Sequence, residues 1–472
     1  MDKYLTRIVS VDGVEQVTHS IELASKLARR AQRIKALVIH SLSQGSEQQS
    51  TPIFSWYQGL KRALTASDIN QFADAYAQTV TYGILVARWI DPHEDRARFN
   101  RAYIHQVLPS TSLSLSELFQ RLLNVDFNEI LASLLDEMIH FLSQVPLTHI
   151  FRGYSDPLLQ FYQDLLQAYD PQARRDQGVY YTPDELVVYM VSTTHHALQD
   201  QFDLPLGLAD TVTWAEFSTH HDLPVPEGIA PQEPLVQILD PAVGTGTFLL
   251  KVIEIIHLTQ MSVYQRQGLP EHQVKQLWSQ YVRQHLLPRI NGFEIMVAPY
   301  IIAHLRLGLA LEETGFVFKP DDHLQIFLTN TLEMNTPSQD TEHKSQRSRT
   351  YLSAEKVKRD VPISVIVGNP PYDLDHTHTG GDNEGGWVRN GWRRWRDRRP
   401  LLDDFHRLNY QSGSGSLLTS TYTLYVYFWR WALWKVFERY SSYGIVALIT
   451  PSAYLRGPGF AGMREYLRDD AQ

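Results

Sequence analysis

The 472-residue chain has no cysteine. Disulfides therefore play no part in its stability, and its composition carries no mark of an oxidising compartment. No run of residues is apolar for long enough to cross a bilayer. The start, Met1-Asp2-Lys3 followed by mixed polar residues, lacks the pattern of a secretory signal. A Gly-Lys-Ser/Thr phosphate loop is missing, which excludes a helicase-type motor. Also missing is a credible nuclease constellation, an acid ahead of a Glu-x-Lys pair on adjacent strands. Histidine is scattered: His195-His196 and His376-x-His378 lack a set of further ligands, so no metal is assigned. Positive charge is in deficit, with 43 Lys and Arg against 52 Asp and Glu and a net charge of −9. That balance speaks against a nucleic-acid coat but leaves room for a local basic surface. The expectation is a cytoplasmic protein with no membrane partner, long enough for two or three domains with sizeable cores.

What is present begins with Asn369-Pro370-Pro371-Tyr372. It follows an apolar, β-branched run, Ile363 to Gly368, that reads as a short strand closed by glycine. Two prolines stiffen the backbone just past the strand end. They hold the Asn369 side chain and the Pro370 carbonyl in fixed directions. A rigid amide oxygen beside a carbonyl is an acceptor pair, and its natural donor is an exocyclic amino group. Tyr372 offers a flat face on which a planar base can stack. The plain alternative is a strand-end turn, and the rest of the chain decides between the two.

A second constellation lies upstream. Leu235 to Leu239 reads as a buried strand. It runs into Asp240-Pro241-Ala242-Val243-Gly244-Thr245-Gly246-Thr247-Phe248 and then an apolar helix through Val252 and Ile256. Gly244 and Gly246 let the backbone approach a ligand closely. This strand–turn–helix shape is the nucleotide crevice of a doubly wound sheet. The third glycine of the dinucleotide fingerprint is absent, and an acid at the strand end suits a ligand carrying an ammonium group. Pro288 to Glu294 reads as a further strand ending in an acid, which in such sheets accepts from ribose hydroxyls. Leu324 to Thr331 reads as a third. Ahead of these, Tyr181-Thr182-Pro183-Asp184-Glu185 opens an apolar helix as a capping box. Thr182 is the N-cap, Pro183 the first helical position and Glu185 the third.

Their order gives these pieces a common meaning. Tyr181-Thr182-Pro183 resembles motif X of the DNA amino-methyltransferases, and the 240–248 turn resembles motif I. Glu294 matches motif II, Asn330-Thr331 motif III, and Asn369 to Tyr372 the catalytic motif IV. Leu424 to Phe428 resembles motif V on a helix, and Gly444 to Ile449 with Thr450-Pro451-Ser452 resembles motif VI. From Phe161 to Gln472 the arrangement resembles the gamma class of DNA adenine-N6 methyltransferases. Tyr162 to Gly178 and Gly385-Gly386-Trp387 are similar to the type ISP group, whose methyltransferases belong to restriction–modification or phage-defence systems.

The resemblance implies an α/β fold: a doubly wound, Rossmann-like methyltransferase sheet in residues 151–472, preceded by an all-helical domain in 1–150. It implies S-adenosyl-L-methionine as cofactor, held by Tyr181, Thr182, Pro183, Asp240, Pro241, Ala242, Gly244, Thr245, Gly246, Phe248, Glu294, Asn330 and Thr331. Thr182 and the helix N-terminus would face the cofactor's carboxylate, and Asn330 its adenine. It implies catalysis by Asn369, Pro370, Pro371 and Tyr372 on an adenine flipped out of double-stranded DNA. Asn369 and Pro370 would hold the amino nitrogen toward the methyl donor, with positioning supplying most of the rate gain. In the gamma class two more strands and a target recognition domain follow the point where this sequence stops. About five strands are therefore expected, with sequence specificity missing or supplied by a separate specificity or nuclease/helicase subunit. Two further readings stay open. One is a protein glutamine methyltransferase, which shares Asn-Pro-Pro-Tyr; the other is a non-catalytic subunit that presents DNA to partners.

A local basic surface exists as well. Trp387 to Arg399 holds six arginines and three tryptophans against one acid. Gly380-Gly381 and Gly385-Gly386 precede it, so it reads as a mobile loop. Trp387, Arg389, Trp392, Arg393, Arg394 and Arg396 are the candidate DNA contacts, guanidinium forks for phosphate and indoles for bases. The alternative is a solvated loop whose tryptophans pack on the domain. Elsewhere, helical periodicity covers Ser20 to Ser41, Ile69 to Trp89 and Leu113 to Val145. Lys26, Arg29, Arg30, Arg33 and Lys35 read as a solvated helix face. Asp203 to Pro234 reads as a surface insertion and Asn335 to Arg359 as a polar loop. Replacing Arg393, Arg394 and Arg396 together by alanine is expected to weaken DNA binding and flatten its salt dependence. Titration with duplex DNA at several salt concentrations measures both, and unchanged binding throughout would remove the loop as a contact.

Overall fold

The computed structural model describes residues 17–43, 53–54, 57–58, 68–90, 98–108, 119–120, 122–123, 128–154, 156–170, 182–334, 349–372, 385–391, 399–411, 413, 415–440 and 443–469. The chain forms two compact units. One comprises Met1–Trp56, Ile69–Leu108 and Ser116–Arg174; the other comprises Tyr57–Asp68, Pro109–Leu115 and Arg175–Gln472.

The described part of the first unit is helical: α1 (Ser20–Ser43), α2 (Ile69–Ile90), α3 (Arg101–Val107), α4 (Glu129–Gln144), α5 (Leu147–Ile150) and α6 (Pro157–Tyr169). Within α1 the buried residues Leu23, Ala24, Leu27, Ala31, Ile34 and Val38 recur at helical spacing. That stripe packs against α2, α4 and α6. Asn100, Asn128 and Asp156 cap α3, α4 and α6 by accepting from backbone N–H groups. Four basic residues of α1 meet acids of the same unit: Lys26 pairs with Glu22, Arg30 and Arg33 with Glu137, and Lys35 with Asp74.

The second unit holds α7 (Asp184–Gln201), α8 (Trp214–His221), β1 (Ile238–Asp240), α9 (Thr247–Arg266), α10 (Glu271–Tyr281), β2 (Ile290–Glu294) and α11 (Val297–Glu313). Then follow β3 (Gln325–Leu328), α12 (Arg349–Arg359), β4 (Val365–Gly368), α13 (Gly386–Asn390), α14 (Asp403–Gln411), α15 (Leu424–Leu433), β5 (Ile445–Leu448) and α16 (Ala461–Asp469). The strands form a five-stranded sheet in the order β3-β2-β1-β4-β5, every pair parallel. Five strands are what the motif series implies. The order reverses between β1 and β4, so the carboxyl ends of these two strands flank a crevice.

A parallel sheet must be covered on both faces. On one face Leu239, Phe293, Phe327 and Ile366 share a core with Val357 of α12, Phe405 of α14, Trp431 of α15 and Met463 of α16. On the other face α9 and α11 pack on each other. On β2, a Cβ at Gly292 would meet Ile326 Cδ1 of β3 at 2.9 Å, Val243 Cγ2 at 3.1 Å and Leu249 Cδ1 of α9 at 3.2 Å, so glycine lets α9 lie close on the sheet. Arg430 of α15 is buried and tethered three ways, to the Leu401 carbonyl at 2.9 Å, Glu438 at 2.6 Å and Asp404 at 2.5 Å.

Two segments differ from expectation. Residues 203–234, expected as a surface insertion, contain α8, opened by a capping box of Thr213 and Glu216. Leu208 and Trp214 are fully buried there, because the few apolar residues between the prolines are large enough to anchor the segment. On its surface Asp203, His220 and His221 bring ligand atoms within 4.8 Å of one another, a grouping the sequence reading did not pair. Of the expected polar loop Asn335 to Arg359, residues 335–348 lie outside the described residues. Residues 349–359 form α12, which buries Ala354 and Val357. Among the described residues no helix is long and apolar enough to cross a membrane. Phe293 sits at 0 % exposure, its ring against Phe327 and Trp431. Phe293→Ala is expected to cost about 3–5 kcal/mol, read from urea unfolding; a cost below about 1 kcal/mol would show that this face does not carry the fold.

Candidate active site

The strand ends gather the motif residues. β1 ends in Asp240, β2 ends in Glu294, β3 leads to Asn330, and β4 leads to Asn369. The sheet order therefore sets them side by side along its carboxyl edge. Asp240 is 1 % exposed, and its Oδ1 accepts from the Ala242 N–H at 3.0 Å. A Cβ on Gly368 would lie 2.7 Å from that same oxygen. The residue before Asn369 is thus glycine because the Asp240 carboxyl fills the space of a side chain. Glu294 Oε2 accepts from the Gly244 N–H at 2.9 Å and Oε1 from the Met296 N–H at 2.7 Å. Gly244 and Gly246 adopt φ of +54° and +87°, the left-handed region that glycine enters without cost. No side chain caps the N-terminus of α9, which leaves its first N–H groups for a ligand or water.

Buried cations hold the surrounding turns. Arg306, from α11, donates through Nη1 to the Thr245 carbonyl at 2.5 Å, with Thr245 Oγ1 at 3.1 Å and Thr247 Oγ1 at 3.3 Å. Thr331 Oγ1 donates to the Pro241 carbonyl at 2.5 Å, joining the turns after β1 and β3. Asn330 Oδ1 accepts from the Leu332 N–H at 2.9 Å, closing a local Asx-type turn. Lys358 is fully buried and donates to Thr329 Oγ1 at 2.8 Å, the Asn330 carbonyl at 2.7 Å and the Glu333 carbonyl at 2.9 Å. Lys435 in turn donates to the Val357 and Lys358 carbonyls at 2.8 and 2.7 Å. Burial lowers the pKa of both lysines. Sequence reasoning missed all three cations. Arg306 and Lys435 carry a signal, a lone charge inside an apolar helical run; Lys358, among other charges, carries none.

The catalytic candidates make a short chain of hydrogen bonds. Asn369 Nδ2 donates to Thr182 Oγ1 at 2.9 Å, and the Tyr372 hydroxyl donates to Asn369 Oδ1. Pro370 is buried, while Asn369, Pro371 and Tyr372 are half-buried. The expected capping box at Thr182 does not form. Helix α7 starts at Asp184 with Pro183 as its N-cap and no side-chain cap. The extended ψ of Pro183, 132°, turns the chain away before Thr182, and the threonine hydroxyl is used on Asn369 instead. Phe248 and Pro241 are buried beside the turn, and Ala242 is half-buried.

The basic segment is placed only in part. Tyr181, Trp392, Arg393, Arg394 and Arg396 lie outside the described residues. Trp387 is buried, its indole edge-on to Trp434 at 4.9 Å between ring centroids. Its backbone N–H donates to the Leu332 carbonyl at 3.2 Å. It therefore belongs to the core and offers no stacking face, a correction to its reading as a DNA contact. Residues 385–391 are likewise not a loop but carry α13. Gly386, at φ +48°, lets that helix lie directly on the Leu332 carbonyl. Arg389 is half-buried, its guanidinium 4.7 Å from the Tyr422 ring.

Burial pushes the Asp240 carboxyl up to about 8, with the Ala242 N–H opposing and Glu294 adding to the rise. Burial pushes Glu294 up to about 7, against the N–H groups of Met296, Gly244 and Ile295. Among the described residues neither carboxyl has an ion-pair partner, the kind of perturbation found where ligands bind. An acid whose pKa rises on folding adds stability below the ordinary carboxylate range, and loses it as pH climbs through the folded value. Stability is expected to fall between about pH 4 and about pH 8. Glu294→Gln should flatten the part of that fall below about pH 7. Calorimetric melting across this range reads the slope, and an unaltered slope would show that Glu294 does not titrate within it.

Solved structures share this fold. The chain is similar to the DrdV–DNA complex determined by cryo-electron microscopy, with a TM-score of 0.59 and 20 % identity over 96 % of this chain and 37 % of that one. It is also similar to a nuclease-deletion mutant of the type ISP restriction–modification enzyme LlaGI in complex with a DNA substrate mimic. There the TM-score is 0.58 and the identity 17 %, over 96 % of this chain and 31 % of that one. A third is the ATP-dependent type ISP restriction–modification enzyme LlaBIII bound to DNA, at 0.58 and 17 % over 95 % and 26 %. No protein-family model and no curated protein matches the sequence. The chain spans between 26 % and 37 % of the length of these solved proteins, and at this identity the likeness is one of fold.

Proposed function

We propose that this chain is a site-specific DNA adenine-N6 methyltransferase of a restriction–modification or phage-defence system, using S-adenosyl-L-methionine. The observation that carries the reading is the contact between Asp240 and Gly368, which sets a cofactor-type acid beside the Asn369 clamp at the switch point of the sheet. The likeness in fold to DNA-bound enzymes, two of them type ISP, supports double-stranded DNA as the substrate. A separate specificity or nuclease/helicase subunit is the further partner this reading invites.

The residues present fit the cofactor. Two buried carboxyls without an ion-pair partner among the described residues suit an ammonium group at Asp240 and ribose hydroxyls at Glu294. Gly244 and Gly246 keep side chains out of the turn. Asn330, on a loop pinned by Lys358, is the candidate at the adenine. When bound, S-adenosyl-L-methionine supplies an electrophilic methyl group. The protein's part is positioning. Asn369 Oδ1 and the Pro370 carbonyl accept the two hydrogens of the substrate's amino group, which leaves its lone pair directed away from them. Tyr372 supplies the stacking face. No general base is required while the amino group is held in this way, since orientation alone supplies a large part of the rate. In the methyltransferases that the tetrapeptide resembles, asparagine at the first position usually goes with adenine, which favours adenine over cytosine as the target.

Asn369→Ala is expected to leave cofactor binding intact and to lower methyl transfer by roughly 10²–10³-fold, as for loss of a preorganised hydrogen-bonding group at a reacting centre. Binding of cofactor by calorimetry and transfer of labelled methyl to DNA measure the two separately. Full turnover in the variant would refute the assignment, and so would failure of the parent chain to bind the cofactor.

A further inference from the structure

We infer that Thr182 is a positioning residue for Asn369: its hydroxyl fixes the plane of the Asn369 amide that receives the substrate amine. The inference rests on the methyltransferase reading, and it gives Thr182 a different duty from cofactor binding or helix capping.

An asparagine amide turns freely about its last side-chain bond unless both ends are held. Here both ends are held. Nδ2 donates to Thr182 Oγ1 at 2.9 Å, across 187 residues of sequence, and Oδ1 accepts from the Tyr372 hydroxyl. The two anchors differ in what ligand binding does to them. An amine that bonds Oδ1 competes with the Tyr372 hydroxyl for the same oxygen, whereas the Thr182 bond lies at the other end of the amide. Thr182 is thus the anchor that persists when substrate arrives. Donating to Thr182 also pushes electron density onto Nδ2, which strengthens Oδ1 as an acceptor through the conjugated amide. The threonine is itself well held. Pro183 has its φ fixed by the ring, at −53°, and its carbonyl accepts from Leu186 and Val187 at the start of α7. Thr182 is therefore attached to the end of a helix rather than to a free loop.

Two substitutions test this. Thr182→Val removes the hydroxyl and keeps the shape; Thr182→Ser restores it. With labelled S-adenosyl-L-methionine and duplex DNA, Thr182→Val is expected to lower kcat about tenfold while the Kd for cofactor stays within about twofold. Thr182→Ser should return kcat to the parent value. A raised cofactor Kd with unchanged kcat would overturn the inference and give Thr182 to the cofactor. A second readout needs no turnover. In the full chain labelled with ¹⁵N-asparagine, the Asn369 side-chain amide is identified by its loss in Asn369→Ala. Its signal should shift toward that of an exposed amide in Thr182→Val and stay in place in Thr182→Ser. An unmoved signal in Thr182→Val would overturn the contact. If the parent transfers no methyl group, the methyltransferase reading fails while the amide signal still decides whether Thr182 holds Asn369.

Discussion

One close approach organises the site: the Asp240 carboxyl fills the space that a side chain at position 368 would need. It arises where the strand order reverses, because β1 and β4 are then neighbours and no connection crosses over their ends. A carboxyl at the end of β1 is pressed against the last residue of β4. Glycine leaves that room, and the chain after it continues as the Asn369-Pro370-Pro371 segment. The acid and the candidate amide therefore sit just past the paired part of β1 and β4, where Leu239 pairs with Ile366. Under the proposed reading, donor and acceptor sites are registered before either ligand binds, which is the condition for catalysis by positioning.

Such registration would be lost if the turns around it moved, since connections between elements are ordinarily the mobile part of a fold. Here they are tied down by cations whose partners are mostly carbonyls and hydroxyls. Arg306 holds the turn after β1, Lys358 the turn after β3, and Lys435 the end of the helix that carries Lys358. Burying a charge is costly, but each of these satisfies at least two acceptors at once, and Lys358 also pairs with Glu355 at 3.3 Å. Removing one would leave those acceptors buried and unmet, so the penalty falls on the turn itself. Charge is thereby converted into rigidity at the carboxyl edge of the sheet.

Much of this was legible in the sequence, for identifiable reasons. A strand that ends in an acid or in Gly-Asn-Pro-Pro announces itself through local residue types, and local rules govern Gly244 and Gly246. The helical stripe of α1 follows from periodicity. What was not legible depends on contacts far apart in the chain. Thr182 satisfies every local criterion for an N-cap, yet a residue 187 positions away takes its hydroxyl. Trp387 sits among arginines and reads as a nucleic-acid contact, yet Trp434 covers it. Lys358 lies in a polar stretch that reads as a loop, and only the sheet behind it makes it a buried strut. Composition misleads wherever a few large apolar residues, such as Leu208 and Trp214, anchor an otherwise polar segment.

The two carboxyls show how the same burial acts on ligand choice. Near neutral pH, Asp240 and Glu294 titrate in the range where their proton is readily exchanged for another positive partner. A ligand that brings an ammonium group or hydroxyl donors offsets the cost of burial by bonding the ionised form. A ligand that brings phosphates to the same end of the crevice must keep both acids protonated and gains nothing from them. The uncapped N-terminus of α9 would by itself favour an anion; under the proposed reading the acids decide against that guest. Under the proposed reading the glycine-rich turn supplies access, while selectivity lies in the strand ends. A nucleoside with a positively charged appendage satisfies both.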